Sequence, residues 1–491
     1  MNYGQFLQMI PEAVLVAVLI ILFIADFATS KKDERGWMNP LACVLMLPVI
    51  VAPLLCADEV HLFGDMYRNT FGVGIVKTIL AAGTLIVFIQ SKAWAVKTLK
   101  EAEFYMLILS TLLGMFVMLS AGHFLMFFLG LEMASVPLAC VVAFDKYRKE
   151  SAEAAAKYIL TATFSSGVML YGISFIYGFF GTLYFDDIAR MFTELPAQSL
   201  SLVAVGGSQT AGVAMLILGF VFFFSGLGFK LSLVPFHFWT ADTYQGAPTT
   251  VTGYLSVISK GAAAYTLLII LFHVFGAMRE SWNYLLYIVI VLSITIANLF
   301  AIRQSELKRF MAFSSISQAG YIMLAAVGTD WTLSASSLLY YVLIYIVANM
   351  CVFSIIAVVE QNNNGKTDID DYDGFYSTNP KLSLLMTLAL FSLGGIPPFA
   401  GMFSKFFVFM AAAKAGSAWA YAIVFIALLN TVVSLYYYLL IVKAMYIKKS
   451  DNPLPTFKSD CNTKLALALC TAGILLFGVC CCIFDWITVN V

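Results

Sequence analysis

The chain has 491 residues, of which 61% are hydrophobic and 11% charged, with a mean hydropathy of +0.89. An average soluble domain is about 45–50% apolar, so a soluble protein is excluded and a lipid bilayer is the expected surrounding. The 28 basic and 28 acidic residues cancel, which leaves no overall charge for nucleic acid or an acidic lipid surface to select.

Crossing a bilayer takes about 20 apolar residues. On that length the chain divides into about fourteen spans, at 10–29, 38–56, 71–90, 102–120, 122–144, 154–179, 211–236, 250–275, 282–301, 310–328, 333–359, 381–412, 417–446 and 465–489. The first carries Asp26 ahead of a basic loop and has no small-residue cleavage site, so it reads as a retained helix rather than a signal peptide. Basic residues gather after odd-numbered spans: Lys31, Lys32 and Arg35; Lys92, Lys97 and Lys100; Lys146, Arg148 and Lys149; Arg303, Lys308 and Arg309; Lys448, Lys449 and Lys458. Loops after even spans hold isolated ones such as Arg68, Arg190, Arg279 and Lys414. By the positive-inside rule the odd loops are cytoplasmic and both termini lie on the outer face. The expected fold is an all-α polytopic membrane protein.

Four charges lie deep in these spans. Glu132 falls about ten residues into the fifth, near mid-depth, and Lys260 is equally deep in the eighth. The seventh runs Ser225-Gly-Leu-Gly-Phe-Lys230-Leu-Ser-Leu-Val-Pro235-Phe-His237-Phe-Trp239, and the twelfth Leu393-Gly-Gly-Ile-Pro397-Pro398-Phe-Ala-Gly401-Met-Phe-Ser-Lys405. Proline lacks the backbone donor and clashes with the preceding turn, so both helices are expected to be interrupted beside their lysines. A charge at the bilayer centre costs about 2.5–3.5 kcal/mol even on the insertion scale. Interhelical ion pairing would explain any one of them; four together, two beside proline interruptions, point to an ion pathway. Burial and a neighbouring carboxylate act oppositely on a lysine's proton affinity, so a lysine between them suits a proton relay.

Other polar residues divide less sharply. Lys157, in the first turns of its helix, either joins a relay or snorkels to the interface. His237 either bridges a proton between the seventh and eighth helices, its ordinary pKa being near 6.5, or packs at an interface. His61, His123 and His273 read as surface or interface residues, and Lys77 and Lys443 as anchors near helix ends. Tyr436, Tyr437 and Tyr438, with Ser434 and Asn430, either hold water along a polar axis or pack as interfacial aromatics. The nine cysteines read as small hydrophobes; Cys480, Cys481 and Cys482, taken as consecutive helical residues, point in three directions. Asp368, Asp370, Asp371 and Asp373 lack the ligand pattern of a calcium loop and read as a solvated acidic loop.

Interrupted helices in corresponding positions of two halves mark transporter ion sites. Aligning Val234-Pro235-Phe236 with Pro397-Pro398-Phe399 places the interruptions five spans apart. An odd offset reverses orientation, so spans 4–8 and 9–13 would be inverted five-helix repeats. The expected division is 1–100 for the first three helices, 101–280 and 281–449 for the two repeats, and 450–491 for the last helix. No dinucleotide fingerprint, P-loop or haem-ligand pair stands out, so the driving energy is expected from partners or from an ion gradient.

The stretch Leu233-Val-Pro235-Phe-His237-Phe-Trp239-Thr-Ala-Asp242-Thr-Tyr244-Gln-Gly-Ala-Pro248, followed by Lys260, resembles the seventh-to-eighth helix signature of the antiporter-like membrane subunits of respiratory complex I. Gln304 to Tyr321 looks like that family's loop and tenth helix, and Gly394-Gly-Ile-Pro397-Pro-Phe-Ala-Gly401 with Lys405 matches its twelfth. The resemblance covers essentially the whole chain. The Tyr-Gln-Gly-Ala-Pro ending and the stop after fourteen helices fit the N-type subunits of that family. The largest type carries a lateral helix for which this chain has no residues, and the middle type usually has glutamate at the position of Lys405.

The resemblance implies roles. Glu132 and Lys230 would form the charge pair of a cytoplasmic half-channel, Lys260 the central site and Lys405 the terminal site of an outer half-channel, with Lys157 and His237 as further polar-axis positions. It implies proton translocation as part of an NADH:quinone oxidoreductase in a bacterial inner membrane, beside other membrane and hydrophilic subunits. NADH, FMN, iron–sulfur clusters and quinone would then belong to partner subunits, with no cofactor in this chain. A subunit of a multisubunit cation/proton antiporter, which shares these motifs, is the alternative. One departure stands out: the tenth helix often has histidine where this chain has Gln318, which cannot titrate, so transfer there would need a bound water or another route.

Overall fold

The computed structural model describes residues 4–29, 36–56, 59–98, 100–194, 210–363, 365–450 and 453–491. Lys31, Lys32 and Arg35 of the first basic loop lie outside them. Helix α1 (Gly4–Gln8) leads into α2 (Ile10–Thr29), α3 (Met38–Leu55) and α4 (Phe71–Thr98), with a hairpin of β1 (Val60–Leu62) and β2 (Tyr67–Asn69) before α4. Next come α5 (Glu101–Leu119), α6 (Phe124–Val142), α7 (Lys149–Phe180) and a short amphipathic α8 (Phe185–Glu194). Then α9 (Thr210–Leu231) and α10 (Phe238–Gly246) precede one long helical span, built from α11 (Thr249–Tyr254), a π turn at Leu255–Ser259, α12 (Lys260–Ile269) and a second π turn at Ile270–Val274. The remainder is α13 (Arg279–Ile302), α14 (Leu307–Met323), α15 (Trp331–Asn362), α16 (Phe375–Thr378), α17 (Pro380–Gly394), α18 (Ala400–Ala413), α19 (Ala418–Tyr446), α20 (Cys461–Val479) and α21 (Cys482–Asn490).

Among the described residues thirteen helices are long and apolar enough to cross a membrane, which makes this a multi-pass, all-α membrane protein. The count differs from fourteen at one place. The twelfth expected span, 381–412, is two shorter helices, α17 and α18, because Gly395 caps α17 in the left-handed conformation and Pro397 and Pro398 lack a backbone donor. The last expected span, 465–489, is also divided, with α20 ending at Val479. Cys480 caps α20 and Cys481 precedes α21, so the three cysteines are not consecutive helical residues.

Helix packing follows small residues. A Cβ on Gly114 would fall 2.3 Å from the Ala134 nitrogen, and one on Gly130 2.5 Å from the Met118 nitrogen, so α5 and α6 touch backbone to backbone, as small residues permit in membranes. The centre is occupied by the helical span 249–274 and by α14 and α15, whose residues are buried nearly throughout. Their side chains face protein on every side, which is why polar groups on them can meet one another rather than lipid.

Candidate functional site

The three deep lysines are buried, with Lys230, Lys260 and Lys405 exposed by 5%, 1% and 4%. Lys230 sits in the last turn of α9, where the carbonyl end of a helix favours a cation. Its Nζ donates to Ser135 Oγ at 2.8 Å and Tyr158 Oη at 3.1 Å, and lies 5.8 Å from the centre of the Tyr158 ring. The chain then leaves the helix through a Schellman-type turn: the Ser232 nitrogen donates to the Phe229 carbonyl and the Leu233 nitrogen to that of Gly228, with Ser232 at φ +62°. The next backbone donor, Val234 N, is taken by Ser293 Oγ at 2.9 Å. Trp239 Nε1 bonds back to the Phe229 carbonyl at 3.0 Å. Every orphan at this helix end that is named here finds a partner, as a buried terminus requires.

Glu132 lies on α6 one turn before Ser135, the serine that holds Lys230. Its Oε1 is buried without a hydrogen-bond partner, and Glu132 and Lys230 form no direct ion pair among the described contacts; Ser135 takes the ammonium instead.

Lys260 follows the π turn at Leu255–Ser259, an extra-residue turn of the kind that often marks functional positions. Its Nζ donates to Ser315 Oγ at 2.6 Å and faces the Tyr244 ring at 5.5 Å, and Ser315 Oγ donates to Tyr244 Oη at 3.2 Å. The adjacent Ser314 shares a 2.6 Å hydrogen bond with Tyr438 Oη. Gln318, one turn on, donates through Nε2 to Tyr438 Oη at 3.2 Å and to the Leu393 carbonyl at 3.3 Å, and accepts from Tyr341 at Oε1.

Lys405 lies on α18, beyond the interruption. The interruption repeats the first one's turn: Gly395 N donates to the Ser392 carbonyl and Ile396 N to that of Phe391, with Gly395 at φ +86°. Lys405 reaches back to the Gly394 carbonyl at 3.1 Å, again a cation on a helix carbonyl end, and faces the Tyr321 ring at 4.9 Å. A cavity of about 10 Å³ lies between Gln318, Tyr341, Tyr345, Ser392, Ser404 and Lys405, room for about one water.

The two secondary positions differ in their surroundings. Lys157 is 45% exposed and pairs with Glu153 at 2.7 Å and Asp242 at 2.8 Å; Asp242 also pairs with Arg309 at 2.8 Å. Burial alone would raise the Asp242 carboxyl, but Lys157 and Arg309 hold it below the ordinary range. His237 is buried with Nδ1 unpartnered. His123 is buried rather than at the surface, and its ring caps α6 by accepting from the Leu125 nitrogen at 3.0 Å.

Two cations, one read as an anchor near a helix end and one as a loop charge, are buried. Lys77 is fully enclosed, bonded to Glu12 at 2.6 Å and Asn69 at 2.8 Å. Lys308 is 1% exposed, donating to the Ala247 carbonyl at 2.8 Å with Glu360 at 3.6 Å. Both misplacements have one cause: depth along a helix does not reveal which neighbours close over its end. The tyrosine alternatives resolve by face, since Tyr437 and Tyr438 are buried and hydrogen-bonded while Tyr436 is exposed. The acidic loop is partly paired, Lys448 standing 3.4 Å from Asp370 and 3.3 Å from Asp373. Ser135, Tyr158, Tyr244, Ser315, Tyr341 and Tyr345 were not singled out by sequence; Tyr158 adjoins Lys157, and Ser135 follows Glu132 by one turn, but neither spacing names its partner.

Residues 121–431 match the family model described as NADH:quinone oxidoreductase/Mrp antiporter, TM. The chain is 56% identical over 483 residues to a Phocaeicola vulgatus protein named NADH-quinone oxidoreductase subunit N, covering 98% of this chain and 97% of that one. A chain in the structure of respiratory complex I from Thermus thermophilus with bound aureothin superposes with a TM-score of 0.75 at 27% identity, covering 96% and 97%. A chain of the Mrp complex from a Dietzia species shares the fold, with a TM-score of 0.81 at 18% identity over 99% and 96%.

Proposed function

The chain belongs to the NADH:quinone oxidoreductase/Mrp antiporter membrane family, and from that premise we propose that it relays protons through Glu132, Lys230, Lys260 and Lys405 while partner subunits carry electrons from NADH to a quinone. It is a membrane subunit of an NADH:quinone oxidoreductase, the assignment carried by near full-length similarity to a relative of that name and by a complex I chain of the same fold. The antiporter alternative has the shared fold behind it at 18% identity.

In this reading α9 with α10, and α17 with α18, are two interrupted transmembrane helices at matching places in inverted repeats, 101–280 and 281–449, flanked by 1–100 and 450–491. Glu132 and Lys230 serve the cytoplasmic side, Lys260 the centre and Lys405 the outer side, with Lys157 and His237 secondary. Both termini face the periplasm of a bacterial inner membrane. NADH, FMN, iron–sulfur clusters and quinone are held by the partner subunits.

One observation carries the relay: hydroxyls and carbonyls, not carboxylates, hold the three ammonium groups. Lys77, by contrast, is locked on Glu12; losing its proton would strand a buried carboxylate, which costs several kcal/mol, about 3–5 when such a pair is broken. A lysine on neutral partners strands no anion when it deprotonates. Neutralising Lys230 or Lys405 is expected to abolish proton pumping by the reconstituted complex while assembly persists. A normal proton-to-electron ratio in either variant overturns the proposal.

A further inference from the structure

Gln318 leaves a gap between Lys260 and Lys405, and the geometry points to Tyr345 as the group that closes it. This inference rests on the relay reading above and deepens it. The amide itself is fully engaged: both Nε2 hydrogens are donated, to Tyr438 and Leu393, and Oε1 accepts from Tyr341. An amide nitrogen has no basic lone pair, so Gln318 holds its neighbours in place and carries no proton.

Of the tyrosines around Gln318, Tyr341 and Tyr438 are hydrogen-bonded to it and Tyr345 is not. It is 3% exposed, and its Oη is buried without a hydrogen-bond partner. An orphaned buried hydroxyl forfeits the hydrogen bonds that water would give it, so one retained here calls for a transient partner. Two are at hand. Ser315, which already holds Lys260, is near enough to interact with Tyr345, and Tyr345 lines the one-water cavity that Lys405 also lines. The hydroxyl therefore stands between the central lysine's acceptor and the terminal lysine's cavity.

The step balances without any further reagent than one water in that cavity. The Lys260 ammonium gives a proton to Ser315 Oγ as the Ser315 hydroxyl, turned from Tyr244, passes its own proton to Tyr345 Oη. The Tyr345 proton moves to the water, and a water proton moves to neutral Lys405. Lys260 ends neutral, Lys405 ends charged, and the serine, tyrosine and water are regenerated.

The test measures the proton-to-electron ratio of the complex in proteoliposomes during NADH oxidation, normalised to assembled complex. Tyr345→Phe is expected to lower the ratio as far as Lys405→Ala does. Adding Gln318→His to Tyr345→Phe, which returns a titratable ring to the same cavity, is expected to recover more than half of the loss, a rescue that a packing defect would not show. Ser404→Val fills the cavity while leaving Tyr345 in place, and should give the same loss should the phenylalanine variant fail to assemble. A full ratio in Tyr345→Phe or in Ser404→Val, with a loss in Lys405→Ala, overturns this inference and leaves the relay standing. A full ratio in Lys405→Ala overturns the relay, and this inference with it.

Discussion

The two interruptions, 232–237 and 395–399, use one backbone device and place their charges differently. In the alignment of Pro235 with Pro398, Ser232 falls on Gly395, and both carry the same pair of turn hydrogen bonds with positive φ. Lys230 falls on Leu393, and Asp242 on Lys405. The first lysine thus precedes its turn and is held by side chains of α6 and α7, whereas the second follows its turn and is held by the backbone it has just left. In the first half the register of Lys405 is occupied by a carboxylate at the protein surface, shared between Lys157 and Arg309. The turn is a property of the scaffold; the position of the charge is set separately, by whichever neutral partner lies within reach.

The contrast can be broken most severely by neutralising the lysines, with loss of pumping expected from either, as stated above. Next in size is packing. A Cβ on Gly401 would fall 1.7 Å from the Ser392 carbonyl, so Gly401→Ala should destabilise by about 1–3 kcal/mol or more, read as lost assembly on a native gel. Phe238, its counterpart in the alignment, is 79% exposed, and Phe238→Ala should change stability by about 0.5 kcal/mol or less.

The partners of Lys230 come third. Tyr158→Phe with Ser135→Ala removes both acceptors, each hydrogen bond to a charged group contributing about 1.5–3 kcal/mol, and should slow proton uptake at least tenfold. Retention of the full rate would show that the hydroxyls do not hold the proton-bearing state. The corresponding bond of Lys405 goes to a backbone carbonyl, which no side-chain substitution removes.

Smaller effects separate the two turns. Gly395→Ser places a side chain at φ +86° and should cost about 1–2 kcal/mol, whereas Ser232→Gly relieves the same strain at φ +62° and should be neutral or stabilising by up to about 1 kcal/mol; thermal denaturation in detergent compares them.

The smallest effect is expected at Asp242, whose exposed pairs contribute about 0–1 kcal/mol. Because its carboxyl is held below the ordinary range by Lys157 and Arg309, that contribution is present above about pH 4 and lost as the pH falls through the lowered value. Asp242→Asn should remove this part of the acid sensitivity; an unchanged pH profile of melting would show that the pairs add nothing.

Sequence made the membrane class and most span boundaries legible, because apolar length is a local property that a bilayer reads directly. It also made both interruptions legible, since Pro235 and Pro397–Pro398 lack backbone donors wherever they stand, and it made the deep charges conspicuous by their cost. Their partners were not legible. Lys77 and Lys260 look alike in sequence, each a lysine in an apolar run, yet one meets Glu12 and the other Ser315. The π turn before Lys260 and the cavity beside Gln318 were equally hidden, because both arise where α15 packs against its neighbours. By itself the sequence determined that Glu132, Lys230, Lys260 and Lys405 stand deep in apolar spans. Only the tertiary structure decided which lysines were pinned by an anion and which were left on neutral oxygens, because partner identity across helices depends on packing between residues dozens to hundreds of positions apart.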